Sequence, residues 1–161
     1  MPLIRPLAVV AFLLLCSGAQ AQQIAFGGLQ QDPTAPVEVT ADSLAVDQAT
    51  GLATFSGNVL IGQGEMRMSA AQVVVVYGTT SEEIERLEAS GGVTLATPSD
   101  AAEADSASYT IASGEVTLTG NVLVTQGANT IAAERMVIDL TAGTGRMDGR
   151  VKTTFTPSGA Q

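Results

Sequence analysis

Apolar residues fall on alternate positions over most of this chain. The pattern runs through Leu44 and Val46, then Ala53, Phe55, Val59 and Ile61, then Met66, Met68, Val73, Val75 and Tyr77. It resumes at Leu87, Ala89, Val93 and Leu95, and at Ala107, Tyr109 and Ile111. It closes with Val116, Leu118, Val122 and Val124, with Met136, Ile138 and Leu140, and with Met147, Val151, Thr153 and Phe155. The residues between are mostly polar, such as Thr54, Ser56 and Asn58, or Thr117, Thr119 and Asn121. A period of two puts one set on each face of a strand, so the pattern predicts half-buried strands and an all-β fold.

The pattern is itself repeated. Ala41-Asp42-Ser43 returns 63 residues later as Ala104-Asp105-Ser106, and Gly57-Asn58-Val59-Leu60 returns as Gly120-Asn121-Val122-Leu123. Gln63-Gly64 returns as Gln126-Gly127 at the same offset, and weaker copies appear at Gly91-Gly92-Val93 and Gly149-Arg150-Val151. The glycines at 57, 91, 120 and 149 are spaced 34, 29 and 29 residues apart. Small or acidic clusters alternate with them at Ala41-Asp42, Ala70-Ala71, Ala104-Asp105 and Ala133-Glu134. One such unit has nothing to cover its apolar face, so four units are expected to stack. Each Gly-x-Val step marks a bulge or a close backbone approach at a bend, and Gly51, Gly114 and Gly143 mark tight turns. The longer second interval is assigned to a loop at residues 79–83, with a helical turn capped by Thr80 as the alternative.

The first residues do not join the repeat. Arg5, an apolar run over residues 7–15 and Ala19-Gln20-Ala21 have the order of a secretory signal peptide cleaved after Ala21. The run is about half the length of roughly 20 residues that a membrane span needs. Leu15 before Cys16 lacks the small residue that lipid attachment wants. The expected division is therefore a cleaved signal at 1–21, a flexible lead-in at 22–36, one repeat domain at 37–156 and a flexible tail at 157–161.

Composition narrows the chemistry. A chain starting at Gln22 has six Lys and Arg against sixteen Asp and Glu, no cysteine and no histidine. That excludes disulfides, thiolate and imidazole metal sites, and Ser-His or Cys-His nucleophiles, and it argues against nucleic acid as a partner. No cofactor is implied. Carboxylate-pair hydrolysis could, for instance, use two residues among Glu82, Glu83, Glu85 and Glu88, but that run is better suited to an exposed strand and loop. The expectation is a protein that is not an enzyme.

What remains is the inward apolar set. It either fills a dry core, as in a structural β-solenoid that binds partners only at its ends, or lines a trough that admits apolar guests. An open stack also leaves two unpaired edges, so the first strand, with Val37 and Val39, is expected to associate head to tail with the last strand, with Val151 and Phe155, of another copy.

The repeated Ala-Asp-Ser, Gly-Asn-Val and Gln-Gly motifs resemble the OstA-like family of lipopolysaccharide export proteins typified by LptA. The resemblance covers about residues 37–155, nearly all of the chain after the signal. It implies an antiparallel β-jellyroll, open at both ends, that works in the periplasm and holds lipid A acyl chains between its sheets. On that expectation the lipid-facing residues are Val46, Phe55, Val59, Ile61, Met68, Val75, Leu118, Val122, Val124 and Ile138. It also implies inner-membrane and outer-membrane export components with related jellyroll domains as partners. A membrane-anchored relative of the same system is the nearest alternative. The few cations, Arg67, Arg86, Arg135, Arg146, Arg150 and Lys152, do not define a head-group site.

Overall fold

The computed structural model describes residues 24–25, 32, 34–79 and 83–157. They form eleven strands: β1 (Ile24–Ala25), β2 (Glu38–Thr40), β3 (Ser43–Asp47), β4 (Leu52–Gln63), β5 (Met66–Tyr77), β6 (Ile84–Ala96), β7 (Asp100–Thr110), β8 (Glu115–Gln126), β9 (Asn129–Asp139), β10 (Thr144–Asp148) and β11 (Lys152–Thr154). Every pairing is antiparallel. The order is β1-β10-β9-β8-β7-β6-β5-β4-β2, with β3 also on β4 and β11 also on β9. The sheet is not closed on itself. The pieces β2 and β3 act as one strand interrupted at Ala41-Asp42, and β10 and β11 as one interrupted at Gly149-Arg150.

Every long strand changes register at the same level. The shifts fall between Ser56 and Val59, Ser69 and Gln72, Ser90 and Val93, Glu103 and Ser106, and Thr119 and Val122. At this line Gly57, Gly91, Gly120 and Gly149 take φ of 81°, 82°, 81° and 81°. The residue after each is also left-handed, with Asn58 and Asn121 at 47°, Gly92 at 85° and Arg150 at 45°. Glycine and asparagine are the residues that enter this region most cheaply. The facing strand supplies the small or acidic cluster. Asn58 Nδ2 donates to Asp42 Oδ2 at 2.8 Å and Asn121 Nδ2 to Asp105 Oδ2 at 2.9 Å. The Asp42 amide donates to the Gly57 carbonyl at 2.9 Å, as the Glu134 amide does to Gly149 at 3.0 Å.

The bend line divides the sheet into two walls. The first wall holds β3, β10 and residues 52–56, 72–77, 84–90, 106–110, 115–119 and 135–139. The second holds β2, β11 and residues 59–63, 66–70, 93–96, 100–104, 122–126 and 129–133. The bulge spans an even step from Phe55 to Val59, so the apolar parity stays on one side across the bend. Val73, Leu87, Val116, Leu118 and Met136 of the first wall are buried, as are Ile61, Met68, Leu95 and Val124 of the second, in one continuous cluster. No further layer exists among the described residues, so the two walls cover each other. This is the expected antiparallel jellyroll.

The turns follow the sequence signals. Gly51, Gly114 and Gly143 have φ of 69°, 66° and 66°, and Asp47 Oδ1 accepts the amide of Ala49 at 2.8 Å as Asp139 Oδ1 accepts that of Thr141 at 2.9 Å. Within the segment 22–36 the chain forms the strand β1, with Ile24 opposite Gly145 and Ala25 opposite Thr144. A two-residue strand has no periodicity to announce it, and it forms because β10 offers a free edge. The signal segment, the helical-turn alternative at Thr80 and residues 158–161 of the tail lie outside the described residues.

The bend makes a direct prediction. A Cβ on Gly120 would lie 2.9 Å from Asp105 Cγ and 3.0 Å from its Cβ, with the backbone still at positive φ. Gly120→Ala should therefore lower stability by about 1–3 kcal/mol, and Asn121→Gly by less than about 1 kcal/mol. Urea denaturation reads both, and equal midpoints for Gly120→Ala and the parent would contradict the close approach.

Candidate functional site

The rows of inward residues can be followed strand by strand. On the first wall one row runs Val46, Ala53, Val75, Leu87, Tyr109, Val116, Ile138, Gly145, each opposite the next. The row beside it runs Leu44, Phe55, Val73, Ala89, Ala107, Leu118, Met136, Met147. On the second wall Val39, Ile61, Met68, Leu95, Ala102, Val124, Ile131 and Thr153 line up in the same way.

Burial changes along these rows. Among the lipid-facing candidates Val59, Ile61, Met68, Val75, Leu118, Val122, Val124 and Ile138 are all 2 % exposed or less. These side chains are closed off from solvent in one packed cluster, so the middle of the stack is shut. Val46 is 65 % exposed, Leu44 beside it 54 %, and Phe55 is half-buried against the core. The first end of the first wall therefore presents its inward face to solvent. Of the edge candidates, Val37 and Val39 are half-buried on the core, whereas Val151 and Phe155 at the opposite end are exposed. The surface hollows lie on outer faces or on the bend line, for instance beside Leu60 and Arg67 or beside Asn58 and Gly92.

A polar chain crosses the interior that periodicity did not single out. Tyr109 of the first wall donates its hydroxyl to Gln63 Oε1 of the second at 2.5 Å, and Gln63 Nε2 donates to the Ala35 carbonyl at 2.9 Å. Both side chains are about 1 % exposed. This links the free margins of the two walls to the segment that leads into β2. Gln63 shares the inward parity of Val59 and Ile61, and a glutamine in that phase was the available signal. Its partner is 46 residues away in sequence, which a period of two does not report.

Among the described residues the charged side chains do not converge. Arg86 lies between Glu88 and Glu85, at 2.9 and 3.8 Å, all partly or well exposed. Arg146 pairs with Asp148 at 3.3 Å and Arg150 with Glu134 at 3.6 Å. Such exposed pairs are worth about 0–1 kcal/mol. Arg67 turns its guanidinium onto the carbonyls of Gly64 and Met66 at 2.6 and 2.7 Å. Glu85 and Glu88 straddle one arginine and do not face each other over a cleft.

Burial pushes the Tyr109 phenol above its usual value of 10.0. The folded chain thus holds this proton more tightly than the unfolded chain, so the associated stability is fully present below pH 10 and is lost as pH rises through the folded value. Tyr109→Phe should cost about 1–2 kcal/mol at neutral pH by removing the buried hydrogen bond that the hydroxyl donates to Gln63 Oε1. It should also flatten the decline in stability above pH 10. Chemical denaturation at pH 7 and across the alkaline range measures both, and an unchanged neutral stability would contradict the cross-wall link.

Comparison with known proteins agrees with this architecture. The family model described as LptA/(LptD N-terminal domain) LPS transport protein matches residues 38–144. An uncharacterized protein, R00383, of Rhizobium meliloti (strain 1021) is 26% identical over 150 residues, covering 86% of this chain and 81% of the relative. The crystal structure of LptH from Pseudomonas aeruginosa, the LptA-homologous periplasmic component of its lipopolysaccharide transport device, superposes with a TM-score of 0.69 at 20% identity. The match covers 79% of this chain and 99% of LptH. With the repeat domain matched over most of its length, the chain belongs to the LptA/LptD N-terminal domain family of lipopolysaccharide transport proteins.

Proposed function

We propose that this chain is a periplasmic carrier that shields the acyl chains of lipopolysaccharide between its two walls during passage from the inner to the outer membrane. The observation that carries the reading is the set of mostly apolar inward rows, closed in the middle and exposed at Leu44 and Val46. An acyl chain gains about 0.8 kcal/mol for each methylene removed from water, so an aliphatic interior holds it without specific hydrogen bonds. Entry at the first end replaces wall-to-wall contacts with wall-to-lipid contacts, so the apolar side chains stay out of water while the walls part. The sugars remain in solvent. No chemical step is required.

The same reading places copies in a row. Aligning Gly149 with Gly91 superposes β10 and β11 on β6, and the 63-residue offset superposes β2 and β3 on β7. A last strand meeting the first strand of a second copy would then repeat the β6–β7 pairing. Met147 would face Leu44 as Ala89 faces Ala107, and Gly145 would face Val46 as Leu87 faces Tyr109. Eight strand positions span about 34 Å at about 4.8 Å per step, so a bridge between membranes needs several copies. Inner-membrane and outer-membrane components with related jellyrolls would cap such a row through the same edges.

The tight packing of the middle favours a second reading, a filled β-solenoid scaffold without lipid uptake. A photoreactive residue placed in turn at Phe55 and at Thr54 in living cells separates the two. The carrier reading predicts a lipopolysaccharide adduct at Phe55, which faces inward, and little or none at Thr54, which faces out. No adduct at Phe55 in a protein that folds normally would favour the scaffold.

A further inference from the structure

The edge that a second copy would use is already occupied. Its strand β3 would lie along β10, with Val46 opposite Gly145 and Asp47 opposite Thr144, by analogy with Leu87 opposite Tyr109 and Arg86 opposite Thr110. In the structure those two positions of β10 hold the chain's own β1, Ile24 opposite Gly145 and Ala25 opposite Thr144. A strand edge accepts one neighbour, so β1 and the β3 of another copy exclude each other there.

We propose that β1 is an intramolecular cap that blocks head-to-tail growth at the first wall until a second copy of this chain displaces it. The inference rests on the head-to-tail reading given above. Among the described residues the opposite edge of the same wall carries no such cover: there β3 pairs with β4 alone, and its inward Leu44 and Val46 are 54 % and 65 % exposed. A molecule thus carries one open apolar edge and one capped edge, and two molecules do not join fully while the cap is in place.

The cap is built to yield. It contributes two residue pairs, whereas the complete junction offers the five residues of β3 against the five of β10, and the three of β2 against the three of β11. The junction also covers Leu44 and Val46, which β1 leaves in solvent. A short pairing that protects an edge in dilute solution and loses to a longer one at higher concentration sets a threshold for assembly. Such a threshold keeps newly exported molecules apart until enough of them are present to form a row.

A chain beginning at Gln22 retains every described residue and contains no cysteine, which suits three variants. The first, Ile24→Pro with Ala25→Pro, removes two amide donors from β1 and leaves β2 to β11 unaltered. The second, Ala25→Cys with Thr144→Cys, locks the cap, because directly opposed residues on antiparallel strands lie about 4.5–5.5 Å apart at Cα, within disulfide range. The third adds Val46→Cys and Gly145→Cys to the first, so that a junction in the inferred register cross-links copies.

Light scattering over a concentration series gives the readout, with circular dichroism confirming that each chain folds. The expected result is association of the proline variant at a concentration at least tenfold lower than the parent. The oxidised lock should stay monomeric at concentrations where its reduced form associates. Unchanged or weakened association of the proline variant, with the third variant still cross-linking, would overturn the cap and leave the head-to-tail reading intact. Absence of both association and cross-links in every variant would overturn the head-to-tail reading and the cap with it.

Discussion

The fold depends on the bend at which each left-handed glycine passes against a small or acidic residue of the neighbouring strand. Without it the strands would run straight and the sheet would present one apolar face with nothing to cover it. With it, the bulge keeps the apolar parity on one side while turning the second half of every strand toward the first. The four bends use three sets of side chains, Asp42 with Asn58 and Asp105 with Asn121 being alike, Ala71 with Gly92 and Glu134 with Arg150 differing. What they share is the glycine and its close approach. The side-chain contacts are exposed and add little, so the backbone conformation is the constraint and the carboxylates are adornments on it.

That geometry makes the interior a seam between two walls. Val73, Leu87, Leu118 and Met136 are closed off from water, so the interior is packed as an ordinary core. Conduction of lipid is compatible with this because both states bury the same apolar side chains, once against each other and once against hydrocarbon. A chain of about a dozen methylenes contributes on the order of 10 kcal/mol on leaving water, enough to offset the loss of a few cross-wall contacts. The Tyr109–Gln63 bond is a directional contact between the walls that such parting must break, and the exposed Leu44 and Val46 mark the end from which it would begin.

Much of this was legible in the sequence because a period of two and a repeat of 63 residues are both local statements. They identified the strands, the inward parity, the bend glycines and the turns at Gly51, Gly114 and Gly143. Periodicity reports which face a residue occupies but not what covers it, so Val46 and Val75 looked alike although one is exposed and the other is not. The Gln63–Tyr109 bond depends on two walls meeting, a relation between distant segments. The strand β1 was hidden for another reason: two residues in a glycine- and glutamine-rich segment carry no pattern, and they are ordered by the edge they find.

The central claim is that the two walls part when lipid is taken up. Spin labels at Glu65 and Ser113, on the turns beside Gln63 and Tyr109, would report the distance across the free margins of the walls. Saturating lipopolysaccharide, with binding confirmed on the same sample, should lengthen that distance by several ångström and broaden its distribution. An unchanged distance in a protein shown to hold the lipid would contradict the account.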